Sequence, residues 1–325
     1  MVSKDHKERD VVARFPDLAR FRFTLEALDP IQLPEYAGSA WRGLLGHGLR
    51  RTACVTGQPT CTGCLLTPSC VYSVLFETPP PPGKDLAGFT AVPHPLVLDI
   101  DPRAPAHHEA GDRIELGITL FGPITTQSPY LIHALGSAGQ RGIGRGRGRF
   151  RVDTVRQENG IGTDRWELVY DANSGTYHQR PALSPIPPPA PSRTRLHLHT
   201  PLRIKRDGRL VVPERFALAD LLRHLYNRLQ RLVLLYGGRP ETFDWTSASA
   251  FAGGLRLDAT NLIWHDWTRY SSRQRTLMQL GGLMGELVIT GPALSEIWPA
   301  LWAGQWTHVG KGTSFGLGAY RLEEA

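Results

Sequence analysis

Long apolar runs are missing from this 325-residue chain. No stretch reaches the roughly 18 apolar residues that a membrane-spanning helix requires, and the opening "MVSKDHKERD" lacks the apolar core of a secretion signal. The expectation is a cytoplasmic protein with no membrane partner. Lysine is scarce: it occurs only at 4, 7, 84, 205 and 311, so nearly all of the 37 basic side chains are arginine. Charged residues are few as well, 21% against 41% hydrophobic, which excludes a disordered chain and supplies enough apolar surface for real cores. Cysteine is almost absent, and its four copies all fall between 54 and 70, which excludes a disulfide framework spread over the fold.

The arginine excess leaves a net charge of +7. A surplus of that sign favours a polyanion as partner, and arginine's planar fork suits phosphates and base edges better than lysine's point charge. Codon bias in a GC-rich genome produces the same excess, so charge alone does not name the partner.

The segment "PALSPIPPPAP", 181–191, holds six prolines and reads as an extended, semi-rigid linker. It separates a first half, 1–180, from a second, 192–325. In the first, "RFRFTLEALDPIQL", "DRIELGITLFGPITT" and "GRFRVDTVRQ" alternate like strands, whereas "GSAWRGLLGHGLRRTAC" and "PYLIHALGSAG" read as helices. In the second, "RLHLHTPLRI", "FAGGLRLDATNLIWHDW" and "LMGELVITG" read as strands, followed by the helix "ALSEIWPALWAG" and a last strand. "ALADLLRHLYNRLQRLVLLYG" is a helix with Leu221, Leu222, Leu225, Leu229, Leu232 and Val233 on one face. Each half fits β-α-β-β-α-β, so the expected class is α+β: two tandem ferredoxin-like domains, the first with a four-cysteine insertion at 54–70.

Both halves carry a glycine-rich segment between their second helix and last strand. In "GIGRGRGRF", Arg145, Arg147, Arg149 and Arg151 fall at every second position, so a strand there would line them along one face. In "HVGKGTSFGLGAY", 308–320, Gly310, Lys311, Gly312, Gly316 and Gly318 form a loop whose missing side chains leave room for a close polar backbone. It is not a P-loop, because five residues separate Gly304 from Gly310 and a glycine follows the lysine.

Together "YAGSAWRGLLGHGLRRTAC", the cysteine cluster, "GIGRGRGRF" and "HVGKGTSFGLGAYRL" resemble the CRISPR precursor-RNA-processing endoribonucleases of the RAMP superfamily, over nearly the whole chain. The resemblance implies paired ferredoxin-like domains, binding of CRISPR repeat RNA, and metal-independent cleavage by an upstream 2'-hydroxyl, leaving a 2',3'-cyclic phosphate and a 5'-hydroxyl. It also implies RNA contacts from the terminal loop, a tyrosine beside the catalytic histidine, and other CRISPR effector subunits as partners. A noncatalytic RNA-binding subunit of an effector complex is the alternative with the same architecture.

In-line attack needs a base, an acid and positive charge at one phosphate. Of the twelve histidines, His47 has the most suggestive setting. Trp41, Leu44, Leu45 and Leu49 cluster on one side of its helix, with His47 and Arg50 opposite and Arg51 at the border. Tyr36 stands just before the helix. The catalytic candidates are therefore His47, Tyr36, Arg50 and Arg51. Gly43, Gly46 and Gly48 weaken the helix but are expected to clear its surface for an approaching backbone. Arg42, Arg145, Arg147, Arg149, His308, Gly310, Lys311, Gly312, Gly316 and Gly318 are the RNA-binding candidates. His197 and His199 share a strand face and read as solvated positions. Asp99 and Asp101 near His94 are too few for a two-metal nuclease, so no catalytic metal is expected.

Cys54, Cys61, Cys64 and Cys70, spaced C-x6-C-x2-C-x5-C among turn residues, suit a tetrahedral structural zinc. An iron-sulfur cluster uses the same four ligands and stays open.

Overall fold

The structure is a computed structural model describing residues 15–79, 92–237, 243–271 and 276–324. It falls into two compact units.

The first unit comprises 16–184 and 235–237. Its elements are β1 (Leu18–Ala27), β2 (Ile31–Gln32), α1 (Gly38–Ala53), β3 (Leu96–Asp99), β4 (His107–His108), β5 (Arg113–Phe121), α2 (Ser128–Gly139), β6 (Phe150–Glu158), β7 (Trp166–Asp171) and β8 (Thr176–Tyr177). The main sheet runs β3-β5-β1-β6-β7-β8, antiparallel throughout. Its first four strands, with α1 and α2, have the ferredoxin-like order. Alternation along β1 explains the packing: Phe21, Phe23 and Leu25 join Leu45, Leu49, Leu131 and Leu135 in the core. The opposite face is polar, and there nearly buried Arg20 pairs with Glu158 at 2.6 Å and Asp99 at 3.5 Å. Burying that cation is tolerable only because both partners are in place.

The second unit comprises Phe15 and the described residues from 185 onward, apart from 235–237. Its elements are β9 (Arg193–Leu202), β10 (Lys205–Arg206), β11 (Arg209–Leu210), α3 (Leu218–Tyr236), α4 (Trp245–Phe251), β12 (Arg256–Asp258), β13 (Ile263–His265), β14 (Thr268–Ser271), β15 (Thr276–Gln279), β16 (Gly282–Thr290), α5 (Leu294–Thr307) and β17 (Tyr320–Glu324). The sheet order β12-β16-β9-β17 repeats the ferredoxin-like plan, with β13 also on β16. All six apolar positions read onto one face of α3 are buried. The strand expected over "FAGGLRLDATNLIWHDW" is broken instead into the end of α4, β12 and β13. The Asp258 carboxylate accepts bonds from the Thr260 amide and hydroxyl (3.1 and 2.8 Å), and this local turn competes with the ladder. No helix among the described residues is long and apolar enough to cross a membrane.

Candidate active site

Helix α1 is fixed from one side. Trp41, Leu45 and Leu49 are buried, and the Trp41 ring meets Phe150 edge-on with centroids 5.4 Å apart. His47 and Arg51 are exposed on the other side. They are i and i+4, neighbours on one helical face. The His47 imidazole therefore stands in solvent on a rigid support.

Two of the three helix glycines do not clear a path for a ligand. A methyl on Gly46 would stand 2.9 Å from the Phe76 ring, and one on Gly48 would stand 2.5 Å from the Ala134 carbonyl oxygen. Both admit the protein's own neighbours. Only Gly43 faces open space.

Tyr36 is only 5% exposed, and burial, reinforced by the Asp99 charge, pushes its phenol far above the ordinary range. The resemblance implied a tyrosine beside the histidine; here the Tyr36 ring lies in the interior while His47 is in solvent. Arg50 is also committed elsewhere. Its guanidinium donates to the carbonyls of Gln58 and Pro59 (2.6 and 2.7 Å) and lies over the Tyr72 ring, so it clamps the cysteine loop to α1. Arg42 lies over Phe76, 4.9 Å from the ring centroid, with a guanidinium nitrogen 3.4 Å from His94 Nε2. His94 Nδ1 in turn meets the Thr78 hydroxyl. Sequence spacing gave no signal of this Arg42–His94–Thr78 chain, because three separate segments supply it.

The expected arginine face does not form. β6 begins at Phe150, so of the four alternating arginines only Arg151 lies on a strand. Gly142, Gly144 and Gly146 have φ of 74–85°, and Arg147 itself sits at 55°. The segment is therefore a compact turn, bridged between Ile143 and Gly148 and tied to Gln32 through Arg145. Arg145 and Arg147 are exposed. Arg149 makes a two-pronged pair with Asp29 (2.7 and 3.1 Å), which holds that carboxyl below its usual range and offsets the charge the arginine offered to RNA.

The terminal loop is likewise built around its own backbone. A Cβ on Gly310 would lie 2.5 Å from the Arg203 carbonyl oxygen, and one on Gly318 only 1.8 Å from that of Val309. Gly312 and Gly316 have φ of 80° and 91° and flank a short 3-10 turn, Thr313–Phe315. The Thr200 hydroxyl donates to the Gly316 carbonyl at 2.8 Å and accepts from the Ala319 amide at 2.9 Å. The Lys311 amide donates to Arg203 O at 2.8 Å, and its side chain is exposed. His308 is the reverse: at 1% exposure, with φ 55°, it ends α5 inside the protein and offers no ring to RNA. On β9, His197 and His199 stack with ring centroids 4.8 Å apart.

All four cysteines are thiols lining one pocket beyond the end of α1. Hydrogen bonds from Thr56 and Gly57 pull the Cys54 thiol below its ordinary range, while burial pushes Cys61 up.

A family model described as an N-terminal domain, AF_1859_N, matches residues 15–182, and the model of CRISPR-associated endoribonuclease Cas6 matches 196–320. No curated protein matches the chain. Among solved structures, a Cas6 product complex shares 16% identity, covering 95% of this chain and 100% of that one with a TM-score of 0.54. A partial Cas6-RT-Cas1–Cas2 complex shares 14%, covering 97% of this chain and 47% of that much longer one, with a TM-score of 0.55. At these identities the structures speak for the fold, and the family models speak for the lineage. Through residues 196–320 this chain carries the domain of the Cas6 family of CRISPR-associated endoribonucleases, the family its sequence resembles.

Proposed function

We propose that this endoribonuclease binds CRISPR repeat RNA and cuts it once, without a metal, by attack of the 2'-hydroxyl upstream of the scissile phosphate. The products are a 2',3'-cyclic phosphate and a 5'-hydroxyl. The observation that carries the reading is the exposed imidazole of His47 on a helix whose other side is locked into the core. No other side chain on α1 exchanges protons near neutrality. His47 moves a proton at the attacking or the leaving oxygen. Arg51, one turn away and permanently charged, stabilises the phosphorane but cannot transfer a proton.

Arg145, Arg147 and Lys311, all exposed, contact RNA phosphates. The structures named Cas6 product complex and Cas6-RT-Cas1–Cas2 complex support repeat RNA and other CRISPR proteins as partners.

The test is incubation with a repeat transcript in EDTA, followed by analysis of the new ends. One cut with a cyclic phosphate is expected, and a 2'-deoxy sugar at the scissile nucleotide should block it while sparing binding. Tight binding with no cut would assign the chain to the noncatalytic RNA-binding subunits instead.

A further inference from the structure

The loop from Cys54 to Cys70 is packed inside out. Val55 is 80% exposed, Leu65 95% and Leu66 42%. The side chains turned at least partly inward are the four cysteines and Thr67. Val55 and Leu66 touch the pocket at the loop's centre only with their edges, and Leu65 is in water, so the loop has too little apolar core to hold it.

What it has instead is sulfur around a void. Cys54, Cys61, Cys64 and Cys70 all line one pocket of about 20 Å³, room for a single small sphere. Three structural elements present them. Cys54 caps the end of α1, and Cys70 leads into the next helical turn, where its carbonyl accepts from the Val74 amide at 2.9 Å. Cys61 and Cys64 share a tight turn, closed by a 3.2 Å bond from the Cys64 amide to the Cys61 carbonyl, with Gly63 at φ 74°. The Thr67 hydroxyl reaches both carbonyls of that turn, at 3.0 and 2.7 Å. The Thr56 hydroxyl lies 3.7 Å from the Cys54 sulfur and 3.9 Å from that of Cys64, so it spans two thiols distant in sequence. Among the described residues no three His, Cys, Asp or Glu side chains have converged on one point. Ligation at about 2.3 Å would draw the sulfurs inward from the pocket wall.

We propose that Cys54, Cys61, Cys64 and Cys70 bind one zinc ion as four thiolates in a tetrahedron, and that this ion keeps the loop folded. The thiol protons are released to water on binding. Soft thiolate donors select zinc over magnesium or calcium, and four of them leave no position for a substrate, so the ion is structural. Through Arg50, which grips Gln58 and Pro59, the stapled loop is fastened to the helix that carries His47.

Metal content is read without RNA, so this proposal and the cleavage proposal fail separately. Full-length protein purified without chelator should contain about one zinc per chain. Its four thiols should resist a thiol reagent until a chelator is added. Metal-stripped chain titrated with cobalt(II) should develop the visible absorption of a tetrahedral tetrathiolate, bleached by added zinc. Cys64→Ser should lose that absorption, and the wild-type titration decides the matter even if the variant does not fold. A folded, metal-free chain with four freely reactive thiols would overturn the proposal, as would iron with acid-labile sulfide or two disulfides.

Discussion

Gly48 lies so close to Ala134 that a methyl group on its α-carbon would stand 2.5 Å from the Ala134 carbonyl oxygen. The contact joins α1 to α2 and fixes how the His47 helix is seated. Alanine at this position would gain about 1 kcal/mol of helix propensity but would push against backbone that cannot rotate away. Overpacking of that kind costs about 1–3 kcal/mol, so Gly48→Ala should lower the urea midpoint. Gly43→Ala, which meets nothing within 4 Å, should raise it by the equivalent of about 0.5–1 kcal/mol. Equal shifts in the two variants would refute the packing argument.

Arg50 and Arg51 are adjacent in sequence but should separate in experiment. Arg50→Ala removes the two bonds to Gln58 and Pro59, each of which contributes at most about 1 kcal/mol at an exposed site. Loop 54–70 should then be cut faster by protease, with RNA cleavage changed only a few-fold. Arg51→Ala should leave the loop intact, weaken RNA binding and reduce its salt dependence by about one ion. The opposite pattern would exchange the roles given to the two residues.

Gly318 combines a φ of 71° with a Cβ position 1.8 Å from the Val309 oxygen. Gly318→Ala should therefore cost the second unit several kcal/mol, in the range of the most damaging single substitutions. Lys311→Ala should leave stability within about 0.5 kcal/mol and weaken RNA binding. Thermal melts and filter binding on the same two proteins check both.

His224 supplies a pH dependence of stability. Its Nδ1 donates to the Asp220 carbonyl at 2.8 Å and its Nε2 accepts the Lys205 amide at 3.3 Å, so the ring is held neutral. Burial, the largest influence, lowers its pKa below the usual value. The unfolded chain then takes up this proton more readily. The contribution is complete above about pH 6.5 and is lost as pH falls toward the folded-state value. Melting temperature should drop across that window in the wild type, and the drop should be shallower in His224→Gln. Parallel profiles would contradict the assignment.

Period and punctuation made the architecture readable. The alternation in "RFRFTLEA" became β1, the leucine spacing became the buried face of α3, and the duplicated β-α-β-β-α-β pattern became two sheets of the same order. What periodicity cannot supply is the identity of a neighbour. A glycine announces that something comes close, yet Gly46, Gly48, Gly310 and Gly318 all admit parts of this protein that are distant in sequence or folded back on the same loop. For the same reason Arg50, Arg149 and His308 looked available: the carbonyls, the carboxylate and the buried helix end that engage them arrive only with the tertiary fold. β7 and β8 were missed because "WELVYD" is short and "TY" too brief to show alternation. The exposure of His47 was legible because a helical wheel alone decides which side of α1 faces the core.

Single-turnover cleavage of repeat RNA in EDTA, comparing wild type with His47→Ala, tests the central claim most directly. The wild type should cut once, and the variant should slow by about 100 to 10,000-fold while binding the RNA within a few-fold of normal. A variant that cuts at the wild-type rate would contradict that claim.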